Sequence, residues 1–284
     1  MAITAAQVNE LRQKTGAGMM DCKKALTEAN GDFDKAIEIL RKKGASVAAK
    51  RAEKSANEGM VTTKVSEDNK FAAIVEVNCE TDFVAKSEDF VSLTNAVLET
   101  VYNKKLNDVS QLNNDSDITA KIDQVMGKVG EKVEISRIAT ESAENGLLVD
   151  YIHMGSKLGV LVKFENVTAG KDELLQIGKD IAMQVAAMRP LCVYREEVPK
   201  DIVEKEMDIY KELARKEGKP EQILEKIAIG RLNKFYQESC LAEQAFIKDN
   251  AKSVSDLVDE FNKKNNSQAK ISLFRRFHLG DDKK

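Results

Sequence analysis

The sequence has no tryptophan, only three prolines and only two histidines, His153 and His278. Scarce proline and a charged fraction of 32% favour long helices. Two histidines cannot supply a histidine-rich metal site, and the four cysteines lack the paired spacing of zinc ligands or of a disulfide framework. We therefore expect reduced structural thiols, no bound metal and no cofactor.

Long apolar runs are also missing, since no stretch approaches the roughly 20 residues of a membrane span. The N-terminus lacks the charged segment and apolar run of a signal peptide, so we expect a cytoplasmic protein with no membrane partner. The net charge of −3 argues against a chain dedicated to nucleic acid. Basic residues between positions 41 and 54 leave an RNA- or ribosome-associated adaptor open, but interleaved acidic and small residues favour a solvated helix face.

The motifs of common catalytic sites are absent as well. Gly16-Ala17-Gly18 resembles a dinucleotide loop only superficially, because the third glycine is missing and a helix precedes it. The sequence contains neither a phosphate-binding loop of the Walker type nor a Gly-x-Ser-x-Gly nucleophile motif. We therefore expect no catalytic residue, and a protein that acts by binding rather than an enzyme.

Residues 1–44 carry the signals of three short helices. Thr4 and Gln7 form a capping box at the start of the first helix, and Gly16 can end it in a left-handed conformation. Asp32 can cap the third helix, which has apolar residues at helical spacing. The pattern predicts a small three-helix domain.

The rest of the chain divides into segments of different pattern. Residues 45–58 are rich in Ala, Lys and Glu and predict a helical linker. Strand and helix signals then predict two α+β halves, 59–140 and 141–284, each with a small antiparallel sheet and helices on one face. Residues 199–246 predict an antiparallel, coiled-coil-like helical hairpin inserted into the second half. The hairpin could serve as scaffold or as an arm for docking or self-association.

The two halves are related by a weak repeat. The segment from Gly59 to Val101 recurs 87 positions later, so that Ile74 corresponds to Leu161 and Phe90 to Ile177. The halves differ between strand and helix, where the first has Thr81-Asp82-Phe83-Val84-Ala85 and the second has Thr168-Ala169-Gly170-Lys171-Asp172. Spacing alone favours a Phe83 folded into its own core. The alternative is an exposed aromatic residue that acts on another molecule.

Several stretches together resemble the elongation factor Ts family, in order and across nearly the whole chain. The two most specific are Val8 to Arg12 with Thr15 to Leu26, and Glu76 to Ala85; weaker ones are Tyr151 to Gly155, Gln244 to Asp249 and Phe274 to Phe277. The resemblance implies a ubiquitin-associated-like N-terminal domain followed by the two halves. It also implies a guanine-nucleotide exchange factor that binds elongation factor Tu and promotes GDP release during translation elongation.

The resemblance further implies which residues touch the partner. Those that would disturb the partner's magnesium and phosphate site are Thr81, Asp82, Phe83 and Val84. Further contacts are expected from Arg12, Met19, Met20, Val129, Gly130 and His153. Because adjacent helical positions point apart, we expect one of Met19 and Met20 to face inward and the other outward. For His153, a hydrogen-bonded residue at a strand end remains the alternative, and His278 is read as structural.

Overall fold

The computed structural model describes residues 3–15 and 17–281. It begins with three helices, α1 (Ala5–Thr15), α2 (Met19–Glu28) and α3 (Phe33–Arg51). The predicted capping box is present, since Gln7 N donates to Thr4 Oγ1 and Thr4 N donates to Gln7 Oε1. Asp32 caps α3 by accepting from Lys35 N at 3.1 Å. The predicted end of α1 at Gly16 lies outside the described residues.

The three helices share one small core formed by Val8, Leu11, Cys22, Ala25, Leu26, Ala29 and Ala36. Helix α3 runs on to Arg51, so the domain boundary that we predict at residue 44 falls inside a helix. At Gly44 this helix crosses the body so closely that a side chain would collide with the carbonyl oxygen of Asp123. The division of the chain at residues 44 and 58 stays a prediction.

The first half is a three-stranded antiparallel sheet covered by helices. Its elements are β1 (Glu58–Val65), β2 (Phe71–Cys79), α4 (Asp82–Ala85), α5 (Glu88–Lys104), α6 (Val109–Asn113), α7 (Ser116–Val129) and β3 (Val133–Ser142). The strand order is β1-β2-β3. Alternate residues of β2, among them Val75 and Val77, pack with Phe90 and Val97 of α5.

The second half repeats that topology. Its elements are β4 (Gly146–Ile152), β5 (Leu158–Glu165), α8 (Lys171–Met188), α9 (Lys200–Lys216), α10 (Glu221–Ser239), β6 (Ala245–Phe246), β7 (Asp249–Ser253), α11 (Val254–Asn265) and β8 (Lys270–His278). The strand order is β4-β5-β8, with β6 and β7 in a small separate ribbon. The predicted α+β architecture with two duplicated halves is confirmed. Helices α9 and α10 form the predicted antiparallel hairpin, whereas α6, α11 and the β6–β7 ribbon were not predicted.

The two sheets pack against each other through the faces that their helices do not cover. This shared core contains Val61, Ala72, Ile74, Ala143, Leu148, Leu161, Phe277 and Leu279. Ile74 and Leu161, which the repeat aligns, are both fully buried in it. The sheets are therefore covered on both faces, which explains the nearly continuous apolar runs of β2 and β5.

Contacts between the sheets are reciprocal, as in an interface with two-fold symmetry. Val61 N donates to Ser156 O, and Leu148 N donates to Asn69 O; each pair is the other displaced by the repeat. Thr63 Oγ1 donates at 2.6 Å to Asp150 Oδ2, a residue 87 positions later. The duplication detected in the sequence is thus also a symmetric packing unit.

The repeat changes its offset after the second strand of each sheet. Helix α5 begins at Glu88 and α8 at Lys171, so the helices are offset by 83 residues instead of 87. The predicted match of Phe90 with Ile177 is therefore wrong by about one helical turn. The reason is physical: the first half holds the four-residue helix α4 at this point, and the second half has no counterpart to it within the described residues.

Candidate functional site

The helix α4 presents one aromatic side chain to solvent. Thr81 is its N-cap, and Val84 N donates to Thr81 Oγ1. Phe83 is 83% exposed, whereas Val84 and Ala85 pack against the core of the first half. The expectation from spacing alone, a Phe83 folded into its own core, is therefore wrong. A single helical turn places Val84 inward and Phe83 outward.

Both ends of α4 are tied to the body. At its start, Thr81 donates from its backbone N and from Oγ1 to the carboxylate of Glu131, at 3.0 and 2.7 Å. At its end, Ser87 Oγ donates to Val84 O at 2.8 Å. Ser87 also caps α5, because its side chain accepts from Phe90 N. The exposed ring of Phe83 thus projects from a turn that is held at both ends.

A second carboxylate connects the same region to the N-terminal helices. Glu80 accepts from Lys132 N at 2.7 Å and from Arg51 of α3 at 2.9 Å. Residues 80 and 81 are therefore held to residues 131 and 132 by two carboxylates in reciprocal positions. The site depends on contacts between segments about 50 residues apart in sequence.

Asp82 is ionised next to the ring. Lys86 Nζ lies 2.7 Å from Asp82 Oδ2, and this hydrogen bond, aided by Lys86 and Lys157 charges, holds the pKa of Asp82 below its usual value. Burial acts in the opposite direction, but it is outweighed, so the pKa of Asp82 remains lowered. The loop therefore carries a carboxylate beside an exposed apolar group at neutral pH.

Val129 and Gly130 lie next to this loop. They end α7, with Gly130 in the left-handed region at φ +73° as the C-cap. Glu131, which binds Thr81, is the next residue. The structure thus brings together two of the predicted contact segments, Thr81–Val84 and Val129–Gly130.

The predicted contacts of the N-terminal domain are all on the surface. Arg12 is an exposed residue of α1, and Met19 and Met20 are 55% and 62% exposed in α2. The expectation that one of the two methionines faces inward is wrong. They form the first turn of α2, while the residues that α2 buries begin at Cys22, so this turn projects beyond the small core.

His153 is exposed in the turn between β4 and β5. Its Nδ1 lies 2.8 Å from the hydroxyl of Tyr151, so the alternative of a hydrogen-bonded residue at a strand end describes its local geometry. The neighbouring Met154 is 90% exposed. His278 accepts from Gly280 N through Nδ1, and burial lowers its pKa.

Several basic residues of segment 41–54 are engaged in ion pairs. Lys42 contacts Glu38, Lys43 contacts Asp21, and Arg51 contacts Glu80.

In the described ranges 3–15 and 17–281, there is no group of three or more His, Cys, Asp or Glu side chains that could hold a metal ion. No described helix combines the length and apolarity needed to cross a bilayer.

Comparison with known proteins places this chain in a family. The family model described as "Elongation factor TS" matches residues 80–281. Elongation factor Ts of Chloroherpeton thalassium is 45% identical over 287 residues, covering 98% of this chain and 99% of the relative. The chain belongs to the elongation factor Ts family. The elongation factor Ts proteins of Chlorobaculum parvum and Clostridium perfringens (strain SM101) are 47% and 45% identical, covering 99% and 93% of those relatives.

Membership of the elongation factor Ts family makes this chain a translation elongation factor of the guanine-nucleotide-exchange class. The matched residues 80–281 contain the α4 loop, the end of α7, strand β3 of the first sheet and the whole second sheet. The relatives also cover the N-terminal helices, since their matches span 98% of the chain. The two residues that sequence reasoning missed are Glu131 and Glu80, because a carboxylate partner 50 residues away leaves no local pattern.

Proposed function

We propose that this chain binds elongation factor Tu in its GDP form and accelerates GDP release by disturbing the magnesium and phosphate site. The observation that supports this most is Phe83, an aromatic ring 83% exposed on a turn that is tied down at both ends. An exposed ring of this size has a large hydrophobic gain available only in a complex. Asp82, ionised beside it, would repel a phosphate group approaching the same position.

The energetic requirement can be compared with what one side chain supplies. Each tenfold acceleration of release needs about 1.4 kcal/mol, so a 10⁴-fold effect needs roughly 5.5 kcal/mol of differential interaction. Burying one Phe contributes roughly 1.5–3 kcal/mol. Phe83 therefore supplies a large part but not all, and the remainder requires a broad contact surface.

The other predicted contacts would provide that surface. Met19 and Met20 offer exposed apolar area on the N-terminal helices, and Arg12 is an exposed cation of the same domain. Val129 and Gly130 extend the loop's own contact, and His153 adds a contact from the second half. By linkage, a factor that weakens GDP binding must itself bind less tightly when GDP is present.

The experiment is release of fluorescent GDP from elongation factor Tu, measured with sub-stoichiometric amounts of this chain. Wild type should accelerate release, and Phe83→Ala should lose roughly 30-fold, equivalent to about 2 kcal/mol for an interface anchor. The matched control is Met188→Ala, which removes an exposed apolar side chain from the second half. Equal rates for Phe83→Ala and wild type would remove Phe83 from the mechanism.

The helical hairpin is a separate prediction. Helices α9 and α10 expose Ile209, Leu213, Ile223 and Ile229, which leaves self-association or docking through this arm as an expectation. Sedimentation of the chain with and without residues 203–236 would test it. A concentration-independent monomer would count against self-association.

A further inference from the structure

Thr81 has all of its polar atoms engaged by the body of the first half. Its backbone N and Oγ1 donate to the two carboxylate oxygens of Glu131, at 3.0 and 2.7 Å. Its carbonyl oxygen accepts from Cys79 Sγ at 3.2 Å. Thr81 is also the N-cap of α4, so the residue that starts the turn carrying Phe83 is fixed by Glu131.

The second half contains the same contact in a neutral form. Thr168, the repeat equivalent of Thr81, donates from N and Oγ1 to Ser267 Oγ, both at 3.3 Å. Ser267 follows the left-handed C-cap Asn266 of α11, just as Glu131 follows the left-handed C-cap Gly130 of α7. In each half, this threonine is therefore bound to the residue that follows the C-cap of the helix before the last strand.

The first half has a carboxylate acceptor at the position where the second half has a hydroxyl. Hydrogen bonds to an ionised acceptor are shorter and stronger than neutral ones, which agrees with the distances in the two halves. The stronger contact occurs in the half that has a turn to support. The four residues of α4 cannot form a stable helix by themselves, because a single turn does not repay the cost of nucleation.

Phe83 contributes nothing to holding its own turn, since its ring is almost fully exposed. The turn is located by Thr81 at its start, by Ser87 at its end and by Val84 packing underneath. Glu131, which holds Thr81, directly follows the predicted contact segment Val129–Gly130. It therefore fixes the spacing between the two predicted contact segments.

We infer that Glu131 is a positioning residue for Phe83 in nucleotide exchange, although it need not touch the partner itself. This inference rests on the proposed function. A contact group that is displaced by a fraction of an ångström loses much of its effect on a well-packed target, so the supporting carboxylate should affect the rate of release.

The test uses Glu131→Ala, Glu131→Gln and Ser267→Ala in the full chain. The maximal rate of GDP release and the half-saturating concentration of the factor are measured separately. Glu131→Ala should lower the maximal rate about tenfold and change the half-saturating concentration less than about twofold. Glu131→Gln should restore most of the rate, because its amide can accept from Thr81 N and donate to Thr81 Oγ1. Ser267→Ala removes the equivalent contact in the second half, whose described residues hold no counterpart of α4, and should leave the rate unchanged.

Two further measurements separate positioning from a loss of fold. Amide hydrogen exchange at residues 81–84 should speed up in Glu131→Ala, while the amides of β2 stay protected. In a Phe83→Ala background, Glu131→Ala should cause no further loss of rate, since both changes remove the same interaction. If Glu131→Ala fails to fold, Thr81→Val replaces it. This change keeps the volume but removes both the Oγ1 bond to Glu131 and the N-cap bond from Val84 N, with an expected loss of at least about threefold.

The outcomes distinguish this inference from the proposed function. If wild type does not accelerate GDP release, both are overturned. If wild type is active, Phe83→Ala is impaired and Glu131→Ala equals wild type, only the positioning role is overturned. Additive losses in the double variant would also overturn it, because Glu131 would then act independently of Phe83.

Discussion

The two halves of this chain differ most where the second strand of each sheet leads into the helix that packs on it. In the second half, two residues separate Thr168 from α8, which begins after Gly170 in the left-handed region. In the first half, α4 occupies this connection and Phe83 projects from it. The same threonine starts both connections and is held by the same kind of contact.

This difference shows how a duplicated scaffold can carry an asymmetric function. The symmetric parts, the sheet order and the reciprocal bonds between the sheets, are those that stabilise the fold. The asymmetric part is a short insertion on the surface, which the fold tolerates because a surface connection displaces no core residue. The support of this connection differs as well, since the first half has Glu131 where the second half has Ser267.

The largest effect that we expect from breaking the symmetry concerns a buried charge. Glu76 is fully buried, and its carboxylate pairs with Arg137 of β3 at 2.5 Å. In the second half, the repeat places Lys163 at the position equivalent to Glu76. Arg137→Met should lower the free energy of unfolding by roughly 3–5 kcal/mol, because it leaves an unpaired buried charge. Lys163→Met should cost less than about 1 kcal/mol, since its partner Glu165 is partly exposed.

Urea unfolding of the two variants measures this difference. The control is the double variant Glu76→Leu with Arg137→Met, which removes both charges and should recover most of the lost stability. An Arg137→Met variant as stable as Lys163→Met would show that the charges of the two halves are equally solvated.

The shared core should respond equally from either side. Ile74 and Leu161 are repeat equivalents, fully buried in the cluster between the sheets. Ile74→Ala and Leu161→Ala should each lower the free energy of unfolding by roughly 2–5 kcal/mol, through lost burial and the cavity that remains. The double variant should deviate from additivity because both residues lie in one cluster.

The same unfolding assay applies, with Ile223→Ala on the exposed hairpin as the control. A cost below about 1 kcal/mol on one side only would mean that the two sheets do not share this core symmetrically.

The smallest effect concerns the caps of the equivalent helices α7 and α11. A hydrogen bond from Lys104 lowers the pKa of Asp115 from its ordinary value of 3.8, and the backbone N of Ser253 lowers that of Asp256. Because each folded pKa lies below the unfolded value, the interaction of each carboxylate stabilises the protein at pH values above its unfolded pKa. This stabilisation is lost as the pH falls through the folded pKa.

Carboxyl chemical shifts followed from neutral pH into the acid range measure both groups. About 1 M salt should raise the pKa of Asp115 more than that of Asp256, because the largest influence on Asp115 is a lysine at the surface and that on Asp256 is a backbone amide. Asp115→Asn and Asp256→Asn identify the signals. Equal salt shifts would contradict the assigned causes.

Local patterns predicted most of the elements. The capping box at Thr4, the cap at Asp32 and the hairpin after Pro199 appear where the sequence places them, because each depends on residues within one or two turns. Helix α11 was missed although Val254, Val258 and Phe261 have helical spacing, so a stricter use of periodicity would have found it.

Predictions that needed spatial neighbours failed more often. The inward orientation of one of Met19 and Met20 was wrong because the small N-terminal core ends before the first turn of α2. The exposure of Phe83 could not be deduced from spacing, since Val84 occupies the inward direction of a turn whose length was unknown. Glu131 left no sequence signal at all, because its role arises only where the end of α7 meets the end of β2.

The sequence by itself determined the duplication, the strands and long helices, the inserted hairpin and the family, because these follow from periodicity, capping residues and extended motifs. The tertiary structure decided that, among the residues it describes, a helix like α4 occurs in the first half alone and that Phe83 faces solvent. It also decided that Thr81 is held by a carboxylate 50 residues away. The physical reason is that burial and hydrogen-bond partners belong to pairs of segments, and one-dimensional spacing does not contain the distance between them.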